Sequence, residues 1–582
     1  MVAAGALMVI GAPAAQSKPD DGPTTRVIVM GKDAKNADAR VKHSHGDTVD
    51  KFEAADSVSA DVTTDELAHL QDDPQVTVIP NLPVDVQAVS FDGRAPAAVF
   101  PQTTGSSSLV ATGVDGRGVG VAVLDTGIAK LPDFGNRLVG GVDLSGEGDA
   151  FADSYGHGTF VAGLIAGNGA SSGGQYTGEA PGANLVSVKV AGASGSTDLA
   201  TVLNGIDWVV QNRAKYNIRV LNVSLGMAPV LSTVDNPLDQ ALESAWQSGI
   251  VVVTSAGNTG PINGTITSPG DDPLVVTVGA LDDNGTAPPA DDTMTSFSAA
   301  GPTFVDGWFK PDLVTSGRSV VSLRAPGSTI DTLHPDARVG SANFVGSGTS
   351  FSAAITSGAA AQLLQKGNPK PDWVKGWLMA GASPGPVGSP FVDGMGSLNV
   401  ANALKVQAKL KQSAPTVATP PDTIVPLFVS GAGSAWNGSS WNGSSWNGSS
   451  WNGSSWNGSS WNGSSWNGSV WNGSAWNGSS WNGSSWNGSS WNGSSWNGSS
   501  WNGSSWNGSS WNGSSWNGSS WNGSSWNGSS WNGSSWNGSS WNGSSWNGSS
   551  WNGSSWNGSS WNGSAWNGSS WNGSSWNGSS WN

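Results

Sequence analysis

Val119-Gly120-Val121-Ala122-Val123-Leu124-Asp125-Thr126-Gly127 is the stretch on which the fold turns. A run without a polar side chain leads straight into a carboxylate and a glycine. Such a run, closed by turn residues, marks a strand covered on both faces in a parallel sheet. Related patterns return at residues 185–190, 219–224, 250–254 and 275–278, with helical stretches at 197–213 and 235–247 between them. Alternating strand and helix predicts an α/β fold with an open, doubly wound, mostly parallel sheet. Active groups in such sheets gather at the carboxyl ends of strands, and Asp125 stands at one.

Two further stretches carry chemistry. In Tyr155-Gly156-His157-Gly158-Thr159-Phe160-Val161-Ala162-Gly163, one of five histidines sits at a glycine-flanked helix start, with small residues behind it. Gly346-Ser347-Gly348-Thr349-Ser350-Phe351-Ser352-Ala353-Ala354 precedes an Ala-rich run, 355–364, that reads as a buried helix. A serine in the first turn of such a helix lies beside unpaired N–H groups and the positive end of the dipole. Negative charge developing on an attacked carbonyl is stabilised there. Each stretch alone has a plainer reading: a strand-end aspartate, a structural histidine, a helix capped by Thr349 or Ser350. Together, in the order Asp, His, Ser, they match one of the known chain orders of the serine triad. Such a triad needs a nucleophile, a general base and a group that fixes the base's tautomer, and the family resemblance that follows implies Ser350, His157 and Asp125 in those roles.

D-T-G, G-H-G-T-x-V-A-G and G-T-S-F-S-A are also the signatures of the subtilase family, which residues 105–406 resemble. The resemblance implies a serine endopeptidase with a subtilisin-like fold, acting on protein or peptide substrates and needing no cofactor for its chemistry. It implies that Asn258, in Thr254-Ser255-Ala256-Gly257-Asn258, donates to the oxyanion together with the Ser350 N–H. It places bound peptide between Gly195-Ser196-Thr197 and Ser224-Leu225-Gly226, and a side-chain pocket at Ser224, Leu225, Gly226, Ser255, Ala256 and Gly257. Two departures stand out. Ala354 replaces a usual proline, and Thr315-Ser316 stands where Ala-Pro is common, so the backbone near Ser350 is expected to be looser. Asp133 resembles a calcium ligand of some relatives, but its matching loop, 170–178, lacks clear ligands; structural calcium is the one cofactor expectation.

At 582 residues the chain is too long for one compact domain. It has no cysteine, which excludes disulfides and thiolate chemistry. The formal charge of -16 argues against a nucleic-acid partner. Residues 1–17 are apolar and small and resemble part of a signal peptide, although they lack a basic start; a secreted or cell-surface protein is expected. Residues 24–90 read as βαββαβ, with a capping box at Thr63-Thr64-Asp65-Glu66. This small α+β unit resembles the inhibitor-like propeptides of the family, which makes the chain's own propeptide a partner and puts a self-cleavage between Val84 and Gly105. His43 and His45 read as solvated loop residues.

Residues 407–433 read as a Pro-rich linker. From 434 to 582 the unit Trp-Asn-Gly-Ser-Ser recurs, with thirty tryptophans from Trp436 to Trp581. A five-residue period fits neither helix nor strand, so this low-complexity tail is expected to be disordered or loosely turned, with a solenoid as the alternative. Exposed tryptophan stacks on sugar rings, so a second function class is an adhesin that binds cell wall or polysaccharide through the tail, the protease core serving only self-processing. A sugar-active enzyme lacks support, because no carboxylate partner stands out beside Asp125.

Overall fold

The computed structural model describes residues 23–86 and 99–413, and strand segments of the repeat between 435 and 581. The leader expected at 1–17, and the linker beyond residue 413, lie outside the described residues.

The first unit has the expected order: β1 (Thr25–Met30), α1 (Ala34–His43), β2 (Asp47–Phe52), β3 (Ser57–Val62), α2 (Thr64–Gln71) and β4 (Thr77–Pro80). Its strands form one antiparallel sheet in the order β2-β3-β1-β4. The capping box is present: the Glu66 N–H donates to Thr63 Oγ1 and the Thr63 N–H to the Glu66 carboxylate. Successive strand side chains point to opposite faces. Val27 and Val29 therefore pack with Val41, Val58 and Leu70 in the unit's own core, while Ile28 joins Phe52, Ala55 and Ile79 in the core of the larger body. A short strand follows, β5 (Pro83–Val86).

The larger body begins with α3 (Phe100–Thr103) and α4 (Ser106–Ala111). It continues through β6 (Gly120–Asp125), β7 (Leu138–Asp143), α5 (His157–Ala166), β8 (Asn184–Lys189), β9 (Ser196–Asp198), α6 (Leu199–Asn212), β10 (Ile218–Val223) and β11 (Leu225–Gly226). Next come α7 (Pro237–Gln247), β12 (Val251–Ser255), β13 (Val276–Asp282), β14 (Thr293–Met294) and β15 (Leu313–Ser316). The last elements are β16 (Val320–Leu323), α8 (Thr329–Leu333), β17 (Arg338–Val339), β18 (Asn343–Gly346), α9 (Thr349–Leu364), α10 (Pro371–Gly381) and α11 (Val400–Ser413).

The main sheet runs β14-β13-β12-β10-β6-β8-β7, with β15 also on β13. Every pair is parallel except β13 with β14. The chain lays down β6, winds to one side through β7 and β8, then returns to place β10 on the other flank of β6. The order reverses between β6 and β10, so their carboxyl ends open a crevice. All sixteen residues of α9 are buried. Small side chains, Ala353, Ala354, Ala359, Ala360 and Ala361 among them, let the helix lie close against the sheet. It runs unbroken through Ala354. The Ser352 hydroxyl ties it to the Thr315 and Ser316 carbonyls at 3.1 and 3.2 Å, so one of the two departures from the family pattern holds the helix by its backbone carbonyls.

In the repeat, strand segments pair in parallel and in phase: Trp451 opposite Trp471, Trp471 opposite Trp491, Trp491 opposite Trp511, Trp511 opposite Trp531. Each pairing steps four five-residue units along the chain. Among the described residues no helix is long and apolar enough to cross a membrane.

Candidate active site

Asp125 ends β6 at the crevice, and its side chain is fully buried. The His157 Nδ1 lies 2.9 Å from both of its carboxylate oxygens. A carboxylate only accepts, so Nδ1 carries the proton and Nε2 presents a lone pair. Nε2 is buried and has no hydrogen-bond partner among the described residues.

The contact between β6 and α5 depends on glycine. A Cβ on Gly158 would stand 2.2 Å from the Gly127 carbonyl oxygen, so only glycine lets the first turn of α5 reach the Asp125-Thr126-Gly127 loop. Thr126 and Asp153 then lock the two together. The Gly158 N–H donates to Thr126 Oγ1 at 2.9 Å, and that hydroxyl donates to Asp153 at 2.8 Å. Asp153 also accepts the N–H groups of Gly156 and Thr159, both at 2.7 Å, satisfying orphan donors of the α5 amino end. Burial pushes the Asp153 carboxyl above its ordinary range, while these donors pull the other way. The sequence reading missed Asp153; its one signal is its place four residues ahead of His157.

Ser350 is buried in the first turn of α9. Gly348 precedes the helix and makes no side-chain cap, so neither Thr349 nor Ser350 is the capping residue. The Ser350 hydroxyl donates to the Ser224 carbonyl at 3.3 Å, and Ser224 Oγ donates to the Ser350 carbonyl at 3.2 Å. The neighbouring Phe351 stacks on the His157 ring with centroids 5.6 Å apart and tilts against Phe160. Asn258 is held by the other neighbour: Thr349 donates its N–H (2.9 Å) and its hydroxyl (3.0 Å) to Asn258 Oδ1. With the oxygen so engaged, the amide end is the one turned to other partners.

The expected substrate residues converge on β5. That strand lies between β9 and β11 in a three-stranded antiparallel sheet. Ser196 and Thr197 pair with Asp85 and Val84, Leu225 and Gly226 pair with Val86 and Asp85, and the Gly195 carbonyl accepts the Val86 N–H at 3.0 Å. Gly195 has φ +75°, and a Cβ there would meet the Tyr155 ring at 2.6 Å, so glycine is required. Ser255 ends β12, the Ala256 N–H donates to the Val278 carbonyl, and the Gly257 N–H donates to Thr349 Oγ1 at 3.2 Å; these three residues border the base of α9.

The calcium expectation falls on Asp133 and the loop 170–178. The Asp133 carboxylate takes the N–H and hydroxyl of Ser171, and among the described residues no three His, Cys, Asp or Glu side chains converge.

A profile of the subtilase family matches residues 116–410, about half the chain. The chain belongs to the subtilase family. It is 44% identical over 299 residues to the serine protease AprX of Bacillus subtilis, a match covering 50% of this chain and 67% of AprX. To a thermostable alkaline protease of Halalkalibacterium halodurans it is 31% identical over 362 residues, 62% of this chain and 86% of the other. Among solved structures, fervidolysin of Fervidobacterium pennivorans, a keratinolytic enzyme, superposes with a TM-score of 0.53 at 21% identity, covering 69% of this chain and 63% of that one. That likeness concerns the fold. The subtilase core is a serine endopeptidase, and subtilases as a family are made with a propeptide.

Proposed function

We propose that Ser350, His157 and Asp125 are the triad of this subtilase and that it acts through an acyl-enzyme. The observation that carries the reading is the buried Asp125–His157 pair, aligned at 2.9 Å beside the first turn of α9. In this reading the Ser350 hydroxyl exchanges the Ser224 carbonyl for Nε2 as the substrate binds. The Oγ then bonds to the scissile carbonyl carbon while its proton passes to Nε2, and Asp125 stabilises the imidazolium. The oxyanion is met by the Ser350 N–H and the Asn258 amide. The peptide C–N bond breaks, Nε2 gives its proton to the leaving amine, and water releases the acyl group by the same route reversed.

Residues 24–90 serve, in this reading, as the propeptide of a self-processed proenzyme, and 105–406 as the catalytic domain. The support is β5, which lies as a third strand where a substrate backbone would pair. Secretion rests on the leader-like residues 1–17, and wall or polysaccharide binding on the thirty tryptophans of the tail. Hydrolysis of a chromogenic peptide by the mature enzyme and by Ser350→Ala tests the chemistry. Loss of a triad nucleophile costs roughly 10⁶-fold in kcat. A variant that retains even a hundredth of the rate would exclude Ser350 as nucleophile.

A further inference from the structure

We propose that Glu147 is a positioning residue, which fixes the β9 edge against the loop leading into His157 and so sets how tightly an extended peptide is held. The proposal rests on the reading of β9 as a substrate edge and adds the residue that keeps this edge in place.

Glu147 lies in the loop between β7 and α5, and its carboxylate meets three donors from separate parts of the chain. Ser154 Oγ donates to Oε2 at 2.5 Å, Lys189 Nζ donates to Oε2 at 2.7 Å, and the Ala193 N–H donates to Oε1 at 2.9 Å. Lys189 ends β8, in register with Asp125 at the end of β6. It is fully buried and also donates to the Ala152 carbonyl at 2.6 Å. A buried ammonium needs a counter-charge, so Lys189 fixes where the Glu147 carboxylate stands. A Cβ on Gly192 would stand 2.5 Å from Oε1, so glycine there leaves room for the carboxylate.

The two backbone segments joined in this way are those that matter for catalysis. Ser154 leads through Tyr155 and Gly156 into His157. Ala193 leads through Ser194 into Gly195, whose carbonyl accepts the Val86 N–H, and then into β9. Thr329, at the start of α8, joins the same two residues through their carbonyls. Its N–H donates to Ser154 at 2.9 Å and its hydroxyl to Ala193 at 2.8 Å. The segments therefore stay in contact when Glu147 changes; what Glu147 adds is the hold on the Ala193 N–H.

The donor pattern dictates what a glutamine would do. An amide has one accepting oxygen and one donating nitrogen. Beside the buried ammonium, Glu147→Gln turns its oxygen to Lys189 and its nitrogen to the Ala193 N–H. Two donors then face each other and the β9 edge loosens. With Lys189→Met in the same chain, no ammonium imposes that choice. The amide oxygen turns to the Ala193 N–H, its nitrogen donates to Ser154 Oγ, and the edge is held again.

The test is steady-state kinetics on the full chain once it is active, with a long chromogenic peptide that reaches β9 and a short one that does not. In the parent the long peptide has the lower KM. Glu147→Gln raises that KM roughly tenfold, the loss of one hydrogen bond to a charged group, and leaves kcat and the short peptide's KM unchanged. Adding Lys189→Met returns the KM to the parent value. Glu147→Ala with Lys189→Met, which has neither ammonium nor acceptor, raises it again and carries the test if Glu147→Gln alone does not fold. A long-peptide KM that no Glu147 substitution alters, a fall in kcat on both peptides, or a Glu147→Gln defect that Lys189→Met does not mend overturns the proposal. A merely structural strut would act on both peptides alike. A parent with equal KM for the two peptides refutes the β9 reading itself, and the proposal with it.

Discussion

Asn258 shows how much a single side chain depends on its neighbours. An asparagine amide is useful as an oxyanion donor only if its oxygen is turned away, and Thr349 does this with two hydrogen bonds. Asn258→Ala should therefore lower kcat by about 10²–10³ with little change in KM, the cost seen when one such donor is removed from a subtilisin. Steady-state kinetics on a peptide amide checks it, and a change confined to KM would assign Asn258 to ground-state binding. At this scale much was legible in the sequence. Asp125, His157 and Ser350 sit in motifs whose small flanking residues exist to let backbones approach, as Gly158 against Gly127 makes plain. Asp153 was not legible. Its role consists of contacts to Thr126, Gly156 and Thr159, and nothing in an isolated aspartate announces which donors it will meet.

Elements divide in the same way. β6, β10 and β12 were readable because buried parallel strands must be apolar along their length. β9 and β11 were foreseen only through the family resemblance and β5 not at all, because two to four residues carry no periodicity and their pairing joins parts of the chain over a hundred residues apart. The docking of the first unit onto α6 has its own test. Asp207 meets two backbone donors of that unit, and hydrogen bonds to a charged group contribute about 1.5–3 kcal/mol. Asp207→Ala should make the cleaved amino-terminal piece leave roughly 10- to 150-fold faster, seen as a shorter lag before activity appears. An unchanged lag would mean that β5 alone holds the piece in place.

Taken whole, the molecule also carries a buried acidic group. Asp239, Asp271 and Asp272 are almost fully buried, with Glu243 beside them. Burial first, and mutual repulsion second, raises Asp239 well above the ordinary carboxylate range, and burial holds Asp271 and Glu243 up to about 7. The folded state therefore binds these protons more tightly than the unfolded chain does. That contribution is complete below the ordinary carboxylate pKa and is lost as pH rises through about 7. Thermal stability should fall between pH 5 and 8, and Asp271→Asn should flatten the fall; an unaltered slope would remove this cluster as its cause. Nearby, Lys310 and Lys375 bracket Asp312 at 2.8 and 3.0 Å, and Lys375 also donates to the carbonyls of Pro273, Leu274 and Val275. Here the chain meets a ring of oxygens with its own ammonium groups. The claim on which everything else stands is that Ser350 is the activated nucleophile of this fold. Peptide mapping by mass spectrometry after treatment with a fluorophosphonate tests it most directly. One adduct, on Ser350, abolished in His157→Ala, is the predicted result; an unmodified Ser350, or equal labelling without His157, would contradict it.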